Sequence, residues 1–588
     1  MRDVGSDQLE LPIPTSAIPF TAHRIEGTTT LWSDADAAAA LGFQNPEQIA
    51  AKFSYGIVGS PTFGGLRFDP ADSVMLHAER YGGGGIGAHG GGARVGNLGQ
   101  FQLKGIGRNL LAGDPGDSLD GQFHSYGAFA LADAIAEIVT SAVANAILPY
   151  GAVKCLALIA IGPEAAFYPQ RWDTAPSPGV ILVRERCLRP AHFLPNRNFA
   201  VGADFLLRYG GDANRVRRAC RALFESQGSH GAVVELFTTF LGRCAVQFAH
   251  AYLHRINHGT LSASNIAVDG RWLDTNWLCL LPPGVDHQQH SGTFPFSSES
   301  EFPKEVMVEW AYNYSKYMDV AIDARALLTN YQRRFQAALA SSTRSFFGLA
   351  NDSRRDGGSG GVDHALVVEA EHSVSSSLTL TSHIAAAGPE RADPSLRLIE
   401  TVFRISDEGA ADPGLYQHLK AALAASAPAD GQGDRPDGER ERRALLRAVR
   451  RIAYAGFFYR DRIVGQASAM ALDFCPSRLA ALVQKWTGIA RLAFGDEEGE
   501  QIVLKHGGVS VVHREDGSLF VGVDEERAVL TGPERYRQAA QILNALPATR
   551  CMDQACYGYP AAPAFDLRAS ATLILDALHR HQQVENAL

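Results

Sequence analysis

The chain has 588 residues, 46% of them hydrophobic and 20% charged, which is enough for several packed domains. A net charge of −9 and a pI near 6.1 argue against a dedicated nucleic-acid binder, because a polyanionic target demands a basic face. Eight cysteines scattered over so long a chain argue against a disulfide framework.

Residues 1–20 carry acids and prolines but no positive segment ahead of an apolar one, so no signal peptide is read there. Residues 1–60 as a whole read as an N-terminal extension on the main domain. The composition then turns glycine-rich, with Gly82 to Gly85 followed by Ile86, Gly87, Ala88, His89, Gly90, Gly91, Gly92, Ala93 and Arg94. Bare backbone of this kind approaches phosphates closely. Gly85 to Gly90 matches the dinucleotide fingerprint in spelling only, since no apolar strand precedes it and no helix follows. A loop covering a nucleotide is the better reading.

Phe101 to Arg108 reads as a short strand that brings Lys104 beside two glycines, placed to reach a phosphate as a point charge. Ala128 to Leu148 has helical character with Glu137 in its middle, and a carboxylate among alanines and β-branched residues needs a partner. Lys104 is the expected one. The longest apolar tract, 127–162, is interrupted by Asp133, Glu137, Pro149 and Lys154, so no membrane span is expected and a cytoplasmic address follows. Strands are expected at Lys154–Ile161 and Gly179–Val183. Arg184, Arg186 and Arg189 directly after them suit phosphate recognition by guanidinium forks.

Gly231 to Ile256 repeats apolar residues at helical spacing over about seven turns and reads as a buried scaffold helix. The stretch from His258 through Asn265 to Asp274 follows as one loop, with Asp269-Gly270 as a two-residue turn between Ile266–Val268 and Arg271–Leu273. Such a hairpin carries Asp274 back beside Asn265. An amide oxygen and a carboxylate that converge there are hard ligands for Mg2+ (or Mn2+) on the phosphates of ATP.

Protein kinases place a loop Asn and a following Asp in this way, but the kinase spelling is absent. The position five before Asn265 is Thr260, and Asp274 is followed by Thr275 and Asn276. Ala93-Arg94-Val95, Gln102-Leu103-Lys104-Gly105-Ile106-Gly107, Ala136-Glu137, Val183-Arg184 with Arg189, and His258-Gly259 through Asn265 to Asp274 occur in that order over roughly residues 60–300. In this the chain resembles the selenoprotein O family of pseudokinase-fold protein adenylyltransferases. The resemblance implies an α+β, protein-kinase-like two-lobed fold with a small β-rich N-lobe (about 61–200), a helical C-lobe (about 201–345), a linker at 346–363 and a mostly helical extension at 364–588. It implies nucleotide contacts from Gly91, Gly92, Arg94, Lys104, Arg184 and Arg189, metal ligation by Asn265 and Asp274, and catalytic roles for Lys104 and Glu137. The implied reaction passes AMP from ATP to a hydroxyl of a protein substrate, because the nucleotide is thought to lie inverted with its α-phosphate toward the acceptor. A catalytically dead ATP-binding scaffold and a kinase-type phosphotransferase share the same ligands and stay open.

Three departures from the family pattern bear on this. Ser264 stands where the family has an Asp, a candidate general base, which leaves His258 as a group that could activate the acceptor. Gly113 to Asp117 reads as a loop insertion, and Thr275-Asn276-Trp277 replaces a Gly-Pro after the metal Asp.

Beyond the loop, Glu309 to Ser342 reads as helix. Gly357 to Gly361 matches a hydrolase nucleophile elbow in spelling alone, inside a flexible stretch at 352–362, and 427–440 reads as disordered. Arg443, Arg447, Arg450 and Arg451 on a helix from Arg442 to Phe458 read as a solvated face. Val503 to Val523 reads as a hairpin. His287 with His290, and Cys551 with Cys556, lack the further ligands that a metal or redox site requires.

Overall fold

A computed structural model of the protein describes residues 17–84, 86, 89–113, 126–167, 176–289, 293–347, 349, 360–375, 378–381, 394–405, 413–425, 437–458, 460–495, 501–506, 508–514, 516–547 and 567–587. The fold is mixed α+β. Its centre is an eight-stranded antiparallel sheet of β1 (Ile18–Ile25), β2 (Thr29–Ser33), β3 (Tyr55–Gly56), β4 (Phe68–Ala78), β5 (Val95–Leu98), β6 (Phe101–Lys104), β7 (Cys155–Phe167) and β8 (Pro176–Glu185). They lie in the order β2-β7-β8-β6-β5-β4-β1-β3. The region before residue 60, expected as an extension, supplies three of these strands, and β1 pairs with β4 from Ile18↔Ala78 to Ile25↔Phe68. Two short helices, α1 (Ala35–Ala40) and α2 (Pro46–Phe53), start where the side chains of Asp34 and Asn45 accept a free backbone N–H.

The sheet separates two cores because successive side chains of a strand point to opposite faces. On β8, Val180 and Leu182 join the core under α3 (Leu131–Ile147), while Ile181 and Val183 join the core under α2 with Phe53 and Leu103. Helix α3 is buried along nearly its whole length, and each fully buried Ile, Leu or Val on it is worth roughly 1.5–3 kcal/mol. One side meets the sheet and the other meets the C-terminal helices Arg460–Leu472 and Pro476–Phe494. The helix bearing Glu137 is thus clamped from both sides.

After β8 come α4 (Ala203–Tyr209), α5 (Asp212–Gln227) and the scaffold helix α6, which spans His230–Leu253 and is capped by Ser229. Among the described residues α6 is the one helix long and apolar enough to cross a membrane, and 61% of its apolar window is buried inside the protein. The helix expected over 309–342 is two helices, α7 (Phe302–Met318) and α8 (Ala324–Phe346). Asp319, in the left-handed region at φ 52°, ends the first, and the Asp323 carboxylate caps the second.

The C-terminal region carries more structure than its sequence announces. The expected hairpin is a four-stranded antiparallel sheet of Gln501–His506, Val509–His513, Leu519–Val523 and Glu526–Leu530. The arginine-rich helix runs from Asp437 to Ala455, so 437–440 are helical, and the solvated face fails for Arg450 and Arg451. Both are buried, with Arg450 Nη2 donating to Gly495 O at 2.7 Å and Arg451 Nη2 to Ser345 Oγ at 3.1 Å. Their stems cover apolar surface while their donors satisfy backbone and hydroxyl acceptors. Cys551, Cys556, His290, Ser359, 114–117 and 427–436 lie outside the described residues.

Candidate functional site

Four side chains from four separate segments close a ring of charge. Lys104 Nζ lies 2.6 Å from Glu137 Oε2 and 2.6 Å from Asp274 Oδ1; Arg184 Nη1 lies 2.7 Å from Glu137 Oε1 and 2.8 Å from Asp274 Oδ1. The sheet register explains the convergence, because Gln102 and Lys104 alternate onto one face of β6 and Arg184 sits directly opposite Gln102 on β8. That face looks at α3, whose middle turn carries Glu137. Two cations and two carboxylates leave no net charge, and each charge has opposite neighbours, the condition for burying ions. Exposure separates the members. The side chains of Lys104, Glu137 and Arg184 are 5%, 2% and 3% exposed, whereas that of Asp274 is 26% exposed and forms the opening of the site. Burial opposes ionisation of Asp274, but Arg184, Lys104 and Arg189 outweigh it and hold the carboxyl well below its usual range.

A second layer, not read from the sequence, holds the ring in place. Gln102 Oε1 accepts from Arg184 Nε at 2.7 Å and from Arg189 Nη2 at 3.0 Å, while its amide donates to Glu79 Oε2 at 3.3 Å. Glu79 is buried and also takes Asn97 Nδ2, Arg186 Nε and His192 Nε2; burial opposes its charge, yet His192, Arg189 and Arg186 hold its pKa far below normal. Period-two spacing from Lys104 was the available signal for Gln102. Nothing local marks Glu79. Arg184 and Arg189, expected as phosphate clamps, are both 2% exposed, and Arg189 Nη1 donates to Ser264 O at 3.1 Å. These donors brace the protein from within.

The loop from His258 to Asp274 is held by its own backbone. Asn265 Nδ2 donates to Thr260 O at 2.7 Å, Leu273 N donates to Asn265 O at 2.8 Å, and Ile266 bridges Trp272, so Asp274 emerges beside Asn265 as expected. The turn differs from the expected two-residue one. Gly270 N donates to Ala267 O and Ala267 N to Arg271 O, with Gly270 at φ +88°, which makes a three-residue loop closed by a glycine bulge. Asp274 sits at φ +51°, a left-handed conformation that turns its carboxylate into the ring, and Thr275 Oγ1 reaches Thr140 Oγ1 on α3 at 3.1 Å. Ser264 Oγ is tied to Ser262 Oγ at 2.8 Å and donates to Asn265 Oδ1 at 3.2 Å.

His258 does not face the opening. Its ring is fully buried 5.0 Å from Trp272, and burial pushes its pKa down to about 4, so it is neutral and serves packing, not activation of an acceptor. The loop is gripped instead by Glu299, a residue without a sequence signal. Its carboxyl accepts from Asn257 Nδ2 at 2.9 Å and from the N–H groups of His258 and Gly259, both at 3.0 Å. Burial pushes the Glu299 pKa up to about 8, although these three donors pull it down.

The glycine run packs onto this loop. A Cβ on Gly83 would lie 2.9 Å from that of Ala263, and Ala263 N reaches Gly84 O. Gly91, at φ +134°, pairs with Arg80, and a Cβ there would strike Glu79 O at 2.2 Å; Gly92 N donates to Glu79 O at 2.8 Å. Gly91 permits this close backbone packing, and the Gly92 amide is bound to Glu79 O and not offered to a phosphate as the sequence suggests. Arg94 is the half-buried cation of the set. Its guanidinium lies 5.0 Å from the centre of the Phe129 ring, which Lys104 Nζ also approaches, at 4.5 Å.

The donor set fits a hard cation held jointly with a ligand. Among the described residues no group of three or more His, Cys, Asp or Glu side chains could hold a metal alone. Mg2+ needs only one or two protein oxygens when phosphates and water complete its shell. Asn265 Oδ1 and Asp274 Oδ2 could supply them, since both ion pairs of Asp274 run through Oδ1. No protein-family model matches the chain, and no curated protein matches its sequence.

Proposed function

We propose that this protein is a nucleotide-dependent transferase of the kinase-like two-lobed class, with the sheet and α3 as the small lobe and α5 to α8 as the large one. More particularly, it transfers AMP from ATP to a serine, threonine or tyrosine hydroxyl of a protein in the cytoplasm, with Mg2+ or Mn2+ bound beside the nucleotide. One observation carries this reading: Lys104, Glu137, Arg184 and Asp274 close a buried ring that opens to solvent at the carboxylate next to Asn265.

When bound, the metal supplies charge neutralisation on the phosphates. The residues position the rest. Lys104 and Arg94, both against the Phe129 ring, hold phosphate oxygens; Glu137 and Gln102 fix Lys104 and Arg184 so that their charge is preorganised. The acceptor oxygen bonds to the α-phosphorus, the bond from that phosphorus to the bridging oxygen breaks, and pyrophosphate leaves. Ser264 and buried His258 offer no base, so the hydroxyl proton passes to solvent or to the departing pyrophosphate.

Incubation with ATP labelled on either the α- or the γ-phosphate tests this. The α-label should enter protein and the γ-label should not. Transfer of the γ-label would make the protein a kinase-type phosphotransferase. Tight ATP binding without transfer of either label would make it a scaffold, the reading that the hydroxyl of Ser264 favours.

A further inference from the structure

Away from the charged ring, α6, α8 and the Pro149-Tyr150 turn after α3 line a cavity of about 630 Å³. Such a volume suits a small metabolite. Its lining is mixed: Val246, Ala337 and Ala338 give it apolar walls, Arg243 and His250 come from α6, Arg334 and three serines from α8, and no carboxylate is among the lining residues. Arg334 is exposed, has neither an ion pair nor a hydrogen bond among the described residues, and lays its guanidinium across α6 at Gly242. A Cβ on Gly242 would stand 2.4 Å from Arg334 Nη1.

Arg243 is partly committed, with Nη1 donating to Asp269 O at 3.3 Å and the guanidinium 5.6 Å over the Tyr150 ring. Its remaining donors are available to a ligand. His250 lines the same cavity with Nε2 buried and without a partner. Burial and the nearby charge of Arg451 push its pKa down to about 3, so the ring is neutral and adds no charge beside the two arginines.

We propose that this cavity binds a small soluble molecule carrying a phosphate group, gripped by Arg334 and Arg243 with the serine hydroxyls of α8. Two forks and several O–H donors match a tetrahedral group with three free oxygens better than a planar carboxylate. Without an acidic group in the lining, nothing competes for the forks.

Equilibrium dialysis of the full chain against labelled orthophosphate tests the proposal. Wild-type protein should show one saturable site per chain. Arg334→Gln should weaken it at least tenfold, and because Arg334 is exposed the variant keeps its fold. Gly242→Ala should weaken it as well, since it keeps the charge but puts a methyl group where the guanidinium lies. No saturable uptake by the wild type, or uptake that both variants leave intact, overturns the assignment.

Discussion

Lys104 and Glu137, thirty-three residues apart, meet at 2.6 Å inside the protein, and both also depend on partners from β8 and from the loop after α6. Glu137 is therefore the counter-charge for two cations at once. Glu137→Gln keeps the shape and leaves Lys104 and Arg184 sharing Asp274 alone. Breaking a buried pair in this way costs about 3–5 kcal/mol. Urea unfolding should show that loss, and ATP turnover should fall by about two orders of magnitude. A stability change under about 0.5 kcal/mol would reduce the ring to a crowd of indifferent neighbours.

Asp274 combines a charge with a left-handed backbone, and two substitutions separate them. Asparagine tolerates φ +51° and alanine does not, by about 1–2 kcal/mol. Both should abolish the Mg2+ or Mn2+ dependence of nucleotide binding, measured by calorimetry with a non-hydrolysable ATP analogue. Asp274→Ala alone should also lose the stability that the left-handed turn demands. Metal-dependent binding that survives in Asp274→Asn would remove this carboxylate from the site.

The buried histidines and Glu299 pull stability in opposite directions with pH. His258 and His513, lowered to about 4, and His250, lowered to about 3, take up protons in the unfolded chain first, so their contribution is lost as pH falls from about 6.5 through 4. Glu299, raised to about 8, holds its proton longer in the folded chain, so its contribution is lost as pH rises from about 4.5 through 8. Each group changes stability by about 1.4 kcal/mol per pH unit in its window. His192 and His254, also lowered by burial, act in the same direction, so the histidines outweigh the glutamate below 6.5 and leave it unopposed above, which puts maximal stability near pH 6.5. In urea melts across pH, His258→Gln should flatten the acid limb and Glu299→Gln the alkaline one. A profile unchanged by Glu299→Gln would contradict the shift.

Glu299 also holds the loop by accepting three N–H groups. Glu299→Ala leaves buried donors of Asn257, His258 and Gly259 unpaired, at a cost of about 3 kcal/mol or more. Hydrogen exchange at the His258 and Gly259 amides should accelerate about a hundredfold or more, given that cost. Exchange as slow as in the wild type would mean that the loop is held elsewhere.

Ser264 occupies the position beside Asn265 where a carboxylate could accept the acceptor's proton. Ser264→Asp should raise α-label transfer by about tenfold or more, within the usual range of general-base catalysis. The incoming charge meets Arg189, whose Nη1 already donates to Ser264 O. Unchanged transfer would show that proton removal does not limit the reaction.

Much of this site was legible along the chain because its signals are local. A lysine ending an alternating strand, a glutamate within an apolar helix, and an Asn and an Asp flanking a Gly-containing hairpin each announce a need that short-range patterning places, and those residues do converge. Local spacing could not say which charges the core would consume. Arg184 and Arg189 read as phosphate clamps, yet the register of β6 against β8 aims Arg184 at Gln102 and Glu137, and Arg189, just beyond β8, binds Gln102 and the Ser264 carbonyl. His258 read as a base until packing against Trp272 removed it from water. Glu79 and Glu299 carry no signal at all, since each acts through partners up to 113 and 42 residues away. The role of the C-terminal helices is of the same kind: their packing against α3 is a property of surfaces that only the folded chain brings together. Sequence determines what each segment needs, and long-range burial decides which neighbour meets that need, because desolvation depends on everything packed around a group and not on its place in the chain.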